Sequence, residues 1–515
     1  MAAIGIGSAE GQTAGRATLV IGAEGTIPPL DPHRLTGTVG LRIIDAIYDP
    51  RVRDDLRTAS KEAPALAPGL AESWTSSPDS KVFTFKLRRG VTFHDGVALD
   101  GAAVQANFDR IMSKDAPFFD QRASGAMSFL TRWIESTSAP DAATFVIKLK
   151  EPFADLPRLL TERRMSIVSP KALNEHKGDA LAAHPAGTGP YMFDRLVQGQ
   201  QLDLKRFDKY WGGQPKLDRI IFRQIPDPTT MATALQTGDI DFMPSAGAQQ
   251  VEQLSKVRGV SILYPEPANA YYVRFNSRVA PTDNVEFRRA LNYAVNRQAI
   301  ATLANGQILP MGGPIPGGNE ITGKGNTSLY TYDVEKAKRH LAASGVQTPV
   351  TLKLVIPTTG PGLSMMPQIA ALIQQDWKAI GVNLQPQFLE FAAMIASESA
   401  GYKDDSHGSL NGWATGVETP YWLERMFSSA QHPPRGVNRG WYKNDQVDKL
   451  FDEARGEPDL GKRNNLYVKS AELIAADAPW MFLHQDRLPR VYRDRVTGLV
   501  AAASVYFDFP SLGVR

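Results

Sequence analysis

The stretch from Leu66 to Gly96, LAPGLAESWTSSPDSKVFTFKLRRGVTFHDG, constrains the fold of this chain more than any other. Pro68 and Gly69 break whatever precedes them. Phe83, Phe85 and Leu87 then alternate with polar neighbours until Gly90. Alternation is the period of a half-buried strand, because successive side chains point to opposite faces. Residues 141–149, DAATFVIKL, repeat the form: a turn, then apolar residues at every second position. The two segments are expected to be strands of one antiparallel sheet.

From about residue 280 the pattern changes to alternating helix and strand. Asp283 with Glu286 has the form of a capping box, followed by Phe287, Ala290, Leu291, Ala294 and Val295 at helical spacing. Asp333 is expected to cap a second helix that Gly345 ends. Leu352, Leu354 and Ile356 predict a strand, residues 365–379 a helix stopped by Gly381, and Val382 the start of another strand. This is an α/β pattern with a mixed or parallel sheet. The Gly- and Pro-rich loop Leu309 to Ser328 is expected on the surface or over a site. Two classes of pattern in one chain predict two lobes.

Composition removes several functions. Lys plus Arg is 57 and Asp plus Glu is 54, a net charge of +3, which gives no concentrated basic surface for nucleic acid. There is no cysteine, hence no disulfide, cysteine nucleophile or thiolate metal site. No apolar run reaches the ~18 residues of a membrane span. Met1 to Ala9 lack the charged start and full apolar core of a signal peptide, so residues 1–15 are expected to be a disordered end or the remnant of one.

Catalytic and metal motifs are also missing. Gly318-Asn319-Glu320-Ile321-Thr322-Gly323-Lys324-Gly325 approaches a phosphate-binding loop, but Gly325 stands where a hydroxyl must meet Mg²⁺. There is no G-x-S-x-G elbow and no H-E-x-x-H pair. His94 and Asp95 are adjacent on an extended segment, so their side chains point apart and make a poor base–carboxylate pair. The histidines at 33, 94, 176, 184, 340, 407, 432 and 484 show no ligating spacing. No enzyme activity, cofactor or direct metal site is expected.

The order of blocks along the chain is more specific than any one of them. After Leu66 to Gly96 come Gly187-Thr188-Gly189-Pro190-Tyr191 and Lys209-Tyr210-Trp211-Gly212-Gly213-Gln214-Pro215. Ala234-Leu235-Gln236-Thr237-Gly238-Asp239-Ile240-Asp241, Phe275-Asn276, residues 288–297 (RRALNYAVNR) and Ala379-Ile380-Gly381-Val382 follow. This succession resembles the solute-binding proteins of peptide-type ABC importers, which include dipeptide, oligopeptide, glutathione, opine and nickel receptors. The resemblance implies an α/β, two-lobed periplasmic-binding-protein fold with an extra domain inserted in the N-terminal lobe. It places residues 16–45, 187–270 and 485–515 in the core of that lobe, 46–186 in the inserted domain and 271–484 in the C-terminal lobe. The chain would cross between lobes near Asn269 to Asn276 and near Phe482 to Leu488. Trp211 and Trp74 fall in structural blocks and are assigned to the core.

The resemblance also points to a site. Asn411 to Trp422 is similar to the stretch beside the cleft where dipeptide receptors carry an aspartate three residues after the tryptophan, to pair with the ligand's α-amine. Here that position is Gly416, and Glu418 is the nearby carboxylate. Dipeptide receptors also place an arginine and a tyrosine after the strand that ends here at Ile356, whereas this chain reads Pro357-Thr358-Thr359-Gly360-Pro361-Gly362-Leu363. Loss of both end-clamps disfavours a plain dipeptide. Trp413, Trp422, Tyr271 and Tyr272 are candidate aromatic platforms. Arg435, Asn438 and Arg439 lie in a loop that relatives use near the ligand, and Arg122 in the inserted domain is another candidate for an anionic group. The implied function is the substrate-binding component of an ABC importer. It would be a periplasmic monomer with its signal peptide removed, which captures a modified peptide, an opine or a related small solute by hinge closure and delivers it to an inner-membrane permease. A hydrolase on the same scaffold and a receptor for a metal-chelate complex are the alternatives.

Overall fold

The computed structural model describes residues 17–35, 37–267, 269–303, 306–358, 365–402, 406–413 and 419–515. The expectations on residues 1–15, on Gly416 and Glu418, and on the stretch Thr359 to Leu363 therefore lie outside the described residues.

Two large sheets organise the chain. A seven-stranded sheet runs in the order Val260–Leu263, Arg490–Arg493, Phe242–Met243, Thr18–Ala23, Arg219–Gln224, Gln201–Arg206 and Tyr191–Val197. A six-stranded sheet runs Ile308–Pro310, Trp480–Asp486, Ala270–Phe275, Gly408–Trp413, Val350–Pro357 and Val382–Leu389. In the second sheet Val350–Pro357 pairs parallel with Val382–Leu389, and the helix Met366–Lys378 makes the crossover between them. The helix Val334–Ser344 is capped by Asp333, which accepts from the Lys336 amide at 2.8 Å, and Gly345 ends it in the left-handed region. The helix Val285–Tyr293 departs from expectation by one residue. Asn284 is its cap, and Glu286 pairs outward with Arg289 (2.6 Å) and His340 (2.6 Å) instead of closing a box.

A third, four-stranded antiparallel sheet, Ala71–Ser76, Val82–Leu87, Thr144–Leu149 and Ile134–Asp141, forms a separate body in the first lobe. Phe83, Phe85, Phe145 and Ile147 are its buried face. The two segments read from alternation pair directly, Phe85 against Phe145.

Asp49 joins this body to the seven-stranded sheet, and it explains two sequence blocks. Thr188 Oγ1 (2.9 Å) and Trp211 Nε1 (2.8 Å) both donate to its Oδ2. Gly187 and Gly189 sit against the Ile47 backbone, where an added Cβ would come within 2.2 and 2.5 Å. His94 and Asp95 are divided between different partners. His94 Nε2 meets the Gly189 carbonyl at 2.9 Å, and Asp95 accepts from Ser169 Oγ at 2.5 Å.

The chain passes from the first large sheet to the second between Leu263 and Ala270, and returns between Asp486 and Arg490. Asn269 ties the two passages. Its Nδ2 donates to the Asp486 carbonyl (2.7 Å) and its Oδ1 accepts from the Asp486 amide (2.8 Å). Gln485 adds a bond to the Asn269 carbonyl (2.8 Å) and accepts from Gly317 (2.7 Å), so part of the Gly/Pro loop packs on the hinge. Asn269 is buried, and removing its amide leaves two backbone groups without partners. Asn269→Ala should lower stability by about 1–3 kcal/mol in a urea titration. An unchanged midpoint would show that the crossings do not depend on this side chain.

Candidate functional site

The lobes meet around a cavity of about 70 Å³. Asp54, Phe129, Arg158 and Arg163 come from the first lobe, as do Ser504 to Tyr506 on the returning C-terminal segment. Thr419, Tyr421 and Arg425 come from the second lobe. The helix Tyr421–Phe427 buries Trp422, Leu423, Met426 and Phe427 in the core of its own lobe. Residues four apart share a helix face, so Tyr421 and Arg425 are presented together to the other lobe.

Most charge around this cavity is neutralised. Arg158 pairs with Asp54 (3.0 Å) and, across the cleft, with Glu320 (2.6 Å). Arg163 pairs with Asp45 (3.0 Å) and Asp54 (2.6 Å) and lies 3.9 Å from the Tyr506 ring centre. Arg164 pairs with Glu162 (3.2 Å). Arg425 lies 5.4 Å from the Trp413 ring centre and 6.0 Å from that of Phe129. Burial holds its pKa below the usual arginine value.

The two lobes touch beyond the cavity. Tyr421 inserts into the apolar cluster of the inserted body, 4.8 Å from Phe153 and 6.2 Å from Trp133 between ring centres. Its hydroxyl accepts from Arg132 (2.9 Å). Asp155 receives Tyr467 (3.1 Å) and Arg463 (2.8 Å), and the Ala154 amide donates to the Arg455 carbonyl (2.8 Å). A water needs ~10–15 Å³ of such space, so the cavity holds only a few. Small-molecule pockets typically measure ~300–1,000 Å³. The lobes therefore stand closed, and a solute of tripeptide size reaches this site only when they part. A wider cavity of about 580 Å³ lies on the other side of the Arg158–Glu320 pair, between Trp74 and Asp155 of the first lobe and Arg463 of the second.

Among the residues singled out from sequence, Trp413 ends the strand Gly408–Trp413, half-buried and next to Arg425. Tyr271 and Tyr272 are neighbours on a strand and enter opposite faces. Tyr271 stacks on His484 (4.7 Å), and Tyr272 stacks on Trp480 (3.7 Å) and accepts from Arg274 (3.0 Å). Trp422 is fully buried against Trp480 and Phe427. Asn438 is buried and donates to the carbonyls of Ser428 (3.0 Å) and Tyr442 (2.8 Å), which pins its loop. Arg435 is exposed, and Arg122 is exposed beside Asp179 (3.4 Å). Tyr272, Trp422 and Asn438 are thus occupied by packing and backbone bonds, whereas Trp413 lies half-buried against Arg425, which lines the cavity between the lobes. Trp211 is only half-buried, bonded to Asp49 and covered by Arg88 at 4.5 Å, and Trp74 is half-buried as well.

Sequence reading missed Phe129, Arg158, Tyr421, Arg425 and Tyr506, which come together from distant parts of the chain. It also missed the fully buried pair Arg274–Glu398 (2.9 Å). Glu398 accepts from Ser409 Oγ and from Asn411 (3.3 Å), which holds the strand that ends at Trp413. Arg439 reaches the same carboxylate at 3.4 Å.

Residues 65–433 match the bacterial extracellular solute-binding proteins, family 5 Middle. The chain belongs to this family. It is 30% identical over 495 residues to the glutathione-binding protein GsiB of Pectobacterium atrosepticum, covering 95% of this chain and 93% of the relative. The periplasmic binding protein DppA of Helicobacter pylori, solved with the peptide STSA, superposes with a TM-score of 0.80 at 26% identity, covering 97% of this chain and 98% of that one. HbpA2 of Haemophilus parasuis superposes with a TM-score of 0.84 at 24% identity, covering 97% and 100%. The relatives are solute-binding proteins of ABC importers, and this family 5 protein captures a small solute for a membrane permease. No helix among its described residues is long and apolar enough to cross a membrane.

One carboxyl of this solute-binding protein sits at the seam between its lobes. Burial pushes Glu424 up to about 7, with Arg455 and Arg132 pulling down and Asp155 and Glu151 pushing up. A carboxyl raised above its unfolded value stabilises the fold fully below that value and loses the contribution as pH rises through the folded pKa. Glu424→Gln should therefore match the parent in thermal stability near about pH 4.5 and become the more stable of the two between about pH 5 and 7.5. Parallel melting profiles across that range would contradict it.

Proposed function

We propose that this solute-binding protein acts in the periplasm as a monomer, with its leader removed, and encloses a peptide-like or opine-like solute between its lobes. The cavity lined by Arg163, Tyr421 and Arg425 carries this reading, because at about 70 Å³, unlike the wider cavity beyond the Arg158–Glu320 pair, it is too small to admit a solute without opening. Opening would turn about the passages tied by Asn269, and the closed form would be what the permease recognises. The division into residues 16–45, 187–270 and 485–515, residues 46–186, and residues 271–484 remains the proposed domain arrangement. Trp413 is proposed as a stacking wall and Glu418 as a polar anchor. No bond is made or broken in this role.

A thermal-shift and calorimetry series with glutathione, the peptide STSA, mannopinic acid and unmodified dipeptides tests the reading. A true ligand at 100 times its Kd should add roughly 2.7 kcal/mol of stability. Plain dipeptides should bind weakly, and a sub-micromolar Kd for one of them would contradict the assignment. Trp413→Ala should cost about 2 kcal/mol of binding, as loss of a buried aromatic anchor does. Glu418→Gln should cost about 1.5–3 kcal/mol if it meets an amine, and little otherwise. Unchanged affinity in both variants would place the site elsewhere.

A further inference from the structure

Arg425 is the odd charge of the cleft. The cavity wall carries three arginines, Arg158, Arg163 and Arg425, against two carboxylates, Asp54 and Glu162. Asp54 is shared by Arg158 and Arg163, and Glu162 is taken by Arg164. Among the described residues Arg425 has no carboxylate within ion-pair distance and no hydrogen-bond acceptor, while Trp413 and Phe129 flank it as aromatic neighbours. The guanidinium is half-buried, and the Glu162 carboxylate acts on it only from beyond ion-pair distance, so it is left short of a direct partner. Its five donors form a fork that fits a carboxylate with two parallel bonds.

We propose that Arg425 is the anchor for a carboxylate of the captured solute, with Trp413 and Phe129 covering the adjoining flat or apolar part. The inference rests on the receptor reading above and gives it a ligand class, an anionic organic acid. It also supplies from a helix of the second lobe the cation that the sequence after Ile356 lacks. Arg435 and Arg122, the cations suggested by sequence, are solvent-exposed and away from the cavity wall. An anion bound here would bridge Arg425 of one lobe to the wall formed by the other, so its binding favours closure.

Matched acids and esters test this. Glutathione, STSA and mannopinic acid are compared with their methyl esters by calorimetry and thermal shift on the full chain and on Arg425→Gln and Arg425→Lys. At least one acid should bind, its ester roughly 30-fold or more weakly, and Arg425→Gln should lose most of that preference. Arg425→Lys should recover only part of it, because an ammonium keeps the charge but not the fork. Ligand-free Arg425→Gln should melt no lower than the parent. Equal binding of acid and ester, an acid preference that survives in Arg425→Gln, or a large loss of stability in ligand-free Arg425→Gln would each overturn the carboxylate anchor and leave the receptor reading standing. No response to any acid or ester would overturn the receptor reading and the anchor with it.

Discussion

The side chain of Asn269 bonds both passages of the chain between its lobes, and the rest of the architecture depends on that tie. On one side lies the seven-stranded sheet with its core of Leu19, Ile21, Leu202 and Phe222. On the other lies the six-stranded sheet with Val273, Phe275, Leu352 and Leu410. Each sheet buries its own apolar residues, so the lobes can part without exposing either core. Among the described residues, what separates on opening is mostly polar contact, together with the Tyr421 ring and the arginines that lie over Phe129 and Trp133. Motion is thereby directed to a few backbone angles near Asn269 and away from the sheets.

The surfaces that meet across the cleft follow the same economy. Arg158 with Glu320, and Arg463 with Asp155, join the lobes as ion pairs that water can solvate when the lobes open. Both pairs are largely buried in the closed form, where the loss of water around each charge offsets much of their attraction. They set the register of closure without locking it. Binding energy from a solute can then decide between open and closed forms, since a shift requires only a difference in affinity between them. Arg425 fits this logic as a charge completed by the solute instead of by the protein.

Much of the fold was legible in the sequence. Alternation at Phe83 to Leu87 and at Phe145 to Leu149 gave the inserted sheet, and Asp333 and Gly345 bounded a helix as capping chemistry requires. The cap falls at Asn284, one residue beyond the expected Asp283, because both are good caps and local sequence does not choose between them. The cleft was much less legible. Tyr271 and Tyr272 read as two platforms, yet strand geometry sends them to opposite cores. Trp422 and Asn438 lie in the expected segments, but burial occupies them with packing and backbone bonds. Arg425 carried no motif. Its character comes from lacking an ion-pair partner among the described residues, and partners such as those of Arg158 and Arg163 lie far away in sequence.

Closure about the hinge can be measured directly. The chain has no cysteine, so Lys61→Cys and Lys462→Cys place two spin labels without background, on exposed positions next to Glu62 and Arg463 across the wider cavity. Pulsed electron resonance should give a broad or long distance distribution in the free protein and a shorter, narrower one with the saturating solute found by the binding series. The same short distance with and without solute, or a longer one on binding, would contradict capture by closing of the lobes.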